Sequence, residues 1–162
     1  NVSLLGLSLF SYSLECNEVW RNKELFSIKS NVLMGKKTEY VNGERTIDGF
    51  RVDGSAFSGI IKGNPATTSY FTPDFLKRSV WISTQNGNPL EVNCTKIEET
   101  QLETPKGKIT ANNWQVSGDL NLNLFYDKNN EWVGSKFRAG GSDTTFILHK
   151  KIGRNHKIWT QS

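Results

Sequence analysis

Apolar and polar positions alternate with a period of two along most of this chain. From Leu7 to Trp20, the residues Phe10, Tyr12, Leu14, Cys16, Glu18 and Trp20 fall on one side. Leu7, Leu9, Ser11 and Ser13 fall on the other, which predicts a strand with one apolar face. Arg21-Asn-Lys-Glu24 is a polar turn. Leu25 to Met34 returns as a second strand, with Phe26, Ile28, Val32 and Met34 on its apolar side, closing a first hairpin. Gly35 interrupts the pattern. Thr38 to Val41 then runs into Asn42-Gly43, two residue types that tolerate positive φ, so a hairpin turn is predicted there, with Thr46 to Val52 returning.

Glycines at 49, 54, 59 and 63 punctuate the next stretch and predict bulges or close backbone approach. A phosphate-cradling loop would need a helix behind it, and Asn64-Pro-Ala-Thr-Thr68 is a poor helix start. One short helix is predicted over Pro73–Arg78, where Thr72 can cap and Pro73 suits the first helical position. The best-defined hairpin follows: Val80 to Gln85, a turn through Asn86-Gly-Asn-Pro89, and Leu90 to Ile97. In it Trp81 and Ile82 are expected to face opposite ways. Glu98, Glu99 and Glu103 read as an acidic loop rim. Further strands are predicted at Ile109–Val116, Leu120–Tyr126, Trp132–Phe137 and Thr144–His149, with a turn at Asp127-Lys-Asn-Asn130. No strand alternates with a long helix. The pattern predicts an all-β fold, a strongly curved antiparallel sheet or incomplete β-barrel with one short helix, as a single domain over residues 1–162.

Composition agrees. Among 162 residues there are five Trp, nine Phe, four Tyr and 14 Gly, which supply apolar area and turns. The net charge of +4 is carried by Lys150, Lys151, Arg154 and Lys157 in a basic tail, 150–162. The remaining 16 basic residues balance 16 acidic ones. A basic excess confined to one tail argues against nucleic acid. It reads as a solvated end, or as a contact for an anionic membrane surface or an acidic partner. No apolar run approaches the roughly 20 residues that span a bilayer. Asn1 to Phe10 is read as strand rather than signal peptide, with 1–6 a trimmed or processed start.

Candidate chemistry is sparse. Cys16 and Cys94 lack the paired spacing of a zinc site; they are either one disulfide in an exported chain or two buried thiols. His149 and His156 lie near no nucleophile motif and read as surface or strand-end residues. Glu18, among aromatics, must be paired, solvated or raised in pKa. Asn93-Cys-Thr95 and Asn1-Val-Ser3 fit the short glycosylation pattern. No metal or cofactor is expected. The densest signal is aromatic: Trp20, Tyr70, Phe71, Phe75, Trp81, Trp114 and Trp132 are the candidate ligand-binding residues, lining an apolar cavity or filling an ordinary core.

Several spaced motifs resemble an exported bacterial family known as a domain of unknown function. They are Glu18-Val-Trp-Arg21 with Leu25, Val52-Asp-Gly-Ser55 with Gly59 and Gly63, and Thr67-Thr-Ser-Tyr70. Trp81-Ile-Ser-Thr-Gln-Asn-Gly87, Gly118-Asp-Leu120, and Tyr126 with Trp132-Val-Gly134 complete the set. The resemblance covers Leu7 to Leu148. That family carries a further β segment ahead of the position matching Leu7, so barrel closure is left open. Its architecture is similar to the half-barrel of LolA/LolB-type lipoprotein carriers. The resemblance implies a periplasmic or otherwise exported, all-β binding protein and carries over no catalytic residue.

The expected function is a non-catalytic binding or carrier module for an apolar, lipid-like small molecule. The alternative is an accessory subunit that docks on a larger protein complex through its sheet edges or tail. An enzyme using Glu18 or His149 is the third class.

Overall fold

The computed structural model describes residues 2–4, 7–10, 12–104, 107–139 and 142–147. It is almost entirely β. The strands are β1 (Val2–Leu4), β2 (Leu7–Phe10), β3 (Tyr12–Arg21), β4 (Glu24–Met34), β5 (Lys37–Thr46), β6 (Gly49–Gly54), β7 (Ser58–Ile61), β8 (Ala66–Thr67), β9 (Val80–Ile82), β10 (Pro89–Thr104), β11 (Gly107–Gly118), β12 (Leu122–Tyr126), β13 (Trp132–Ala139) and β14 (Ser142–Ile147). The one helical piece among the described residues is a 3-10 turn, Pro73–Lys77. The chain divides into two compact units. One holds Asn1–Thr68 and Ile82–Pro89; the other holds Ser69–Trp81 and Leu90–Ser162.

In the first unit, β1 and β2 pair with each other. A five-stranded sheet runs β3-β4-β5-β6-β7 in linear order, so neighbouring strands are joined by turns and the sheet does not close on itself. Its register puts Leu14, Val32 and Glu39 in one row and Cys16, Ser30 and Val41 in the next. Phe50 and Val52 share that inner face through Arg45 and Gly43. Ile28, Val32, Val41, Phe50 and Val52 are buried there, each contributing on the order of 1.5–3 kcal/mol. A register shift between Val19 and Trp20 leaves Phe26 opposite no residue of β3. Phe26 is therefore exposed, under the Arg21 guanidinium at 3.7 Å, rather than on the apolar side where its spacing alone had put it.

Two turn expectations are corrected. Asn42-Gly43 is not a turn; β5 runs through it to Thr46, and the chain reverses at Ile47-Asp48. Gly43 serves packing instead. A Cβ there would stand 2.6 Å from Phe50 Cε1 and 3.0 Å from Ile28 Cγ2, so its missing side chain makes room for the phenyl ring. Glu98, Glu99 and Glu103 are not a loop rim; they lie in β10, which pairs with β11 as far as Thr104↔Gly107. The strand persists because Leu102, opposite Ile109, packs with Ala111 and Phe125, and one register shift between Lys96 and Glu99 takes up the irregularity.

In the second unit the strand order is β14-β13-β12-β11-β10-β9, again linear. Trp114 faces Leu124, and Asn112, Tyr126 and Trp132 follow one another across β11, β12 and β13. The Pro73 turn forms as its sequence dictates. The Thr72 side chain accepts a hydrogen bond from Asp74 N at 3.3 Å, and Pro73 occupies the start. The turn at Asp127 is held by its own carboxylate, which accepts from Asn129 N at 2.8 Å and Glu131 N at 2.9 Å.

Candidate functional site

The predicted aromatic set is partly assembled, and where assembled it is packed. In the second unit Trp81 is fully buried. Its indole Nε1 donates to Phe75 O and Arg78 O, both at 3.1 Å. This ties β9 to the 3-10 turn through the donor that a buried tryptophan must satisfy. Tyr70 lies 5.8 Å from Trp81 at 50°, and Phe71 meets Phe75 edge-on at 4.9 Å. Arg78 covers the Phe75 ring at 5.4 Å. Tyr70 holds a positive φ of 57°, and its carbonyl accepts from Tyr126 Oη at 2.8 Å. Burial pushes the Tyr126 hydroxyl far above its ordinary pKa. Tyr126 was absent from the aromatics singled out by sequence, although its alternation with Leu122 and Leu124 marks it as core. Trp114 and Trp132 are half-buried on the Tyr126 face of the sheet. Trp132 Nε1 is buried and has no hydrogen-bond partner among the described residues. Ile82, like Trp81, is fully buried, so neither neighbour in β9 faces solvent.

Trp20 belongs to the first unit. Its Nε1 donates to Glu18 Oε2 at 2.8 Å, and the Cys16 thiol donates to Glu18 Oε1 at 3.8 Å. The carboxylate that looked anomalous among aromatics is therefore hydrogen-bonded along its own strand, two residues apart in each direction. Burial pushes the Cys16 thiol up to about 12, with the Glu18 charge adding to it and Ser30 partly offsetting it. Burial pushes Cys94 up to about 11. Both are free thiols, Cys16 in the first unit and Cys94 in the second.

A polar site that the sequence did not advertise lies at Glu39, the one buried carboxylate of the described core. It accepts from Lys37 Nζ at 2.5 Å and from Gln85 Nε2 at 2.6 Å. These hold its pKa below the ordinary carboxylate value, Lys37 first and Gln85 second. Its charge adds to burial in raising the Tyr12 hydroxyl. Gln85 comes from Ser83–Asn88, which is seated on the inner face of the five-stranded sheet. Ala56 N donates to Asn86 O at 2.9 Å, and a Cβ at Gly87 would stand 3.0 Å from Val52 Cγ1.

Apolar surface lies open on β3. On the inner face, Tyr12 is 44% and Leu14 37% exposed, while Val32, in register with Leu14, is 1% exposed. Clefts of about 250 to 490 Å³ among the described residues include ones lined by Glu99, Ile109 and Asp127, by Gln115, Leu122 and Phe137, and by Ser79, Val80 and Glu91. Another, of about 300 Å³, is formed by Ser13, Glu15, Asn31, Val32, Leu33 and Thr38 on the β3–β4–β5 strands. Among the described residues no group of three or more His, Cys, Asp or Glu could hold a metal ion. No helix among them is long and apolar enough to cross a membrane. His149, His156 and the basic residues Lys150, Lys151, Arg154 and Lys157 lie outside the described residues.

No curated protein and no solved structure matches the chain. One family model does, over residues 1–149. The chain therefore belongs to the family described as Domain of unknown function (DUF6134).

Proposed function

We propose that the chain is a non-catalytic binding module that docks on a protein partner as an accessory subunit, through the first half of β3. One observation carries this reading. The apolar row of the inner face is closed over β4, β5 and β6 but open at Tyr12 and Leu14. A partner that covered these side chains would gain about 25 cal/mol for each Å² of apolar surface removed from water. The test is recovery of partners from the native source with the wild-type chain and with a Tyr12→Ser/Leu14→Ser variant, quantified by mass spectrometry. Specific loss of a partner from the variant, with unchanged circular dichroism, is the expected result. An identical partner set removes β3 from the docking role.

A second reading, the lipid-like carrier, has its own observation. Trp132 Nε1 is a buried donor without an acceptor among the described residues, a state that costs about 1–3 kcal/mol. The acceptor oxygen of an otherwise apolar ligand would recover it. The half-barrel likeness to LolA/LolB-type carriers, export to the periplasm and membrane contact through the basic tail belong with this reading. Native mass spectrometry should then show a co-purified lipid-like mass whose retention falls in Trp132→Phe. A clean apo mass, with no thermal shift across fatty acids and isoprenoids, would end it.

A further inference from the structure

We infer that β3 takes its partner by strand addition: an extended segment with alternating apolar and polar residues pairs with Tyr12–Asn17 and sets a basic side chain opposite Glu15. This deepens the docking reading and rests on it. β3 is the end strand of its sheet. Outside the strand ladders, no backbone–backbone hydrogen bond among the described residues involves residues 12–21. The groups on the side away from β4 therefore offer a template for another strand.

The two edges of the sheet are managed differently. β7, the opposite end, is only four residues long, and short edge strands resist added pairing. β3 is ten residues long, and its protection is confined to its second half. There the register shift falls between Val19 and Trp20, Glu18 points inward and is bonded to Trp20, and Arg21 lies over Phe26. Tyr12–Asn17 has no proline, no glycine, no basic residue and a single charge, Glu15. At about 3.3 Å per residue it presents roughly 20 Å of edge.

The side chains specify what fits. Tyr12, Leu14 and Cys16 share the inner face, and Ser13, Glu15 and Asn17 the outer. A partner strand with apolar residues opposite the first set continues the core row. Glu15 is exposed and makes no ion pair among the described residues, so a cation directly across from it is favoured. A second copy of this chain is a poorer occupant, because the same window brings an acid and no base.

The probe is a labelled peptide, Thr-Val-Thr-Val-Lys-Val-Thr-Val-Thr, whose palindrome suits either strand direction. Its binding to the intact protein is followed by fluorescence anisotropy. Saturable binding is expected, weakened at least about fivefold when the central Lys is Glu and abolished by Leu14→Lys in the protein. Backbone N-methylation of one alternate set of peptide residues should abolish binding, and methylation of the other set should leave it. Equal tolerance of both sets overturns strand addition but leaves docking by side chains standing. Docking itself fails only if the Tyr12→Ser/Leu14→Ser variant keeps its partners. No binding of any peptide overturns the inference, as does a dimer of the wild-type chain, by sedimentation, that Leu14→Lys dissolves.

Discussion

Replacing Gln85 by Ala tests the account of the buried carboxylate. The Glu39 side chain is 7% exposed, and its two described partners differ in kind. Lys37 reaches it from an exposed position, with 68% of its side chain in solvent. Gln85 comes from the segment seated on the sheet. A hydrogen bond to a charged group contributes about 1.5–3 kcal/mol, and leaving a charge short of a donor forfeits that. The loss expected at pH 7 is therefore about 2 kcal/mol. Native-state hydrogen exchange of β4 and β5 reads it locally. The sign with pH follows from the depressed pKa. The carboxylate's contribution is complete above its ordinary value of 4.5 and is lost as pH falls through the lower folded value. The variant carries one fewer cause of that depression. The difference between variant and wild type should thus be full at neutral pH and shrink as both carboxyls protonate. A Glu39→Gln/Gln85→Ala cycle should assign at least half the loss to the pair. A loss under about 0.5 kcal/mol at pH 7, or one that is the same at neutral and acid pH, refutes the reasoning.

Other outcomes follow from the same geometry. Gly43→Ala drives a methyl to 2.6 Å from Phe50 Cε1 and should lower stability by about 1–3 kcal/mol; adding Phe50→Leu should restore part of it in urea melts. Trp81→Phe removes the donor shared by Phe75 O and Arg78 O; Phe75 O keeps the hydrogen bond from Arg78 N at 3.0 Å, so the cost should be about 1 kcal/mol. Exchange around the 3-10 turn should accelerate, and an unchanged rate would count against the tie. With thiol pKa values pushed up to about 12 at Cys16 and about 11 at Cys94, iodoacetamide at pH 7.5 should label neither residue of the folded protein appreciably. Both should react once it is unfolded in urea, and rapid labelling of the native state would contradict the buried setting.

What the sequence disclosed was set by local rules. The β3–β4 hairpin was legible because Tyr12 to Trp20 and Ile28 to Met34 alternate against a polar turn, and the observed register pairs them accordingly. Thr72-Pro73 announced its helical turn through capping alone. Where the expectation failed, a long-range contact overrode a local signal. Asn42-Gly43 has the chemistry of a turn, but Phe50 needs the space above Gly43. Glu98–Glu103 has the charge of a loop, but Leu102 anchors it in a strand. The aromatic site illustrates a different limit. Composition pointed to Tyr70, Phe75 and Trp81 together, and they do lie within one unit. Whether rings line a space or fill it depends on the turn carbonyls that Trp81 reaches, which no periodicity reveals. Glu39 was silent because its second described partner lies 46 residues away.

The division of the chain has a consequence for dissection. It passes between the two units at Thr68/Ser69, at Trp81/Ile82 and again at Pro89/Leu90. Neither unit is a contiguous segment. A fragment ending at Thr68 would keep all five strands of the first sheet yet lose Gln85 and Gly87, exposing Glu39 with Lys37 as its remaining described partner. The complementary fragment would carry Ser83–Asn88 as an orphan. Expression as halves should therefore yield two sticky, poorly folded products, while mixing or co-expressing them should restore both by complementation. Separating the roles of the two units is accordingly a task for point substitutions in the whole chain, or for circular permutation.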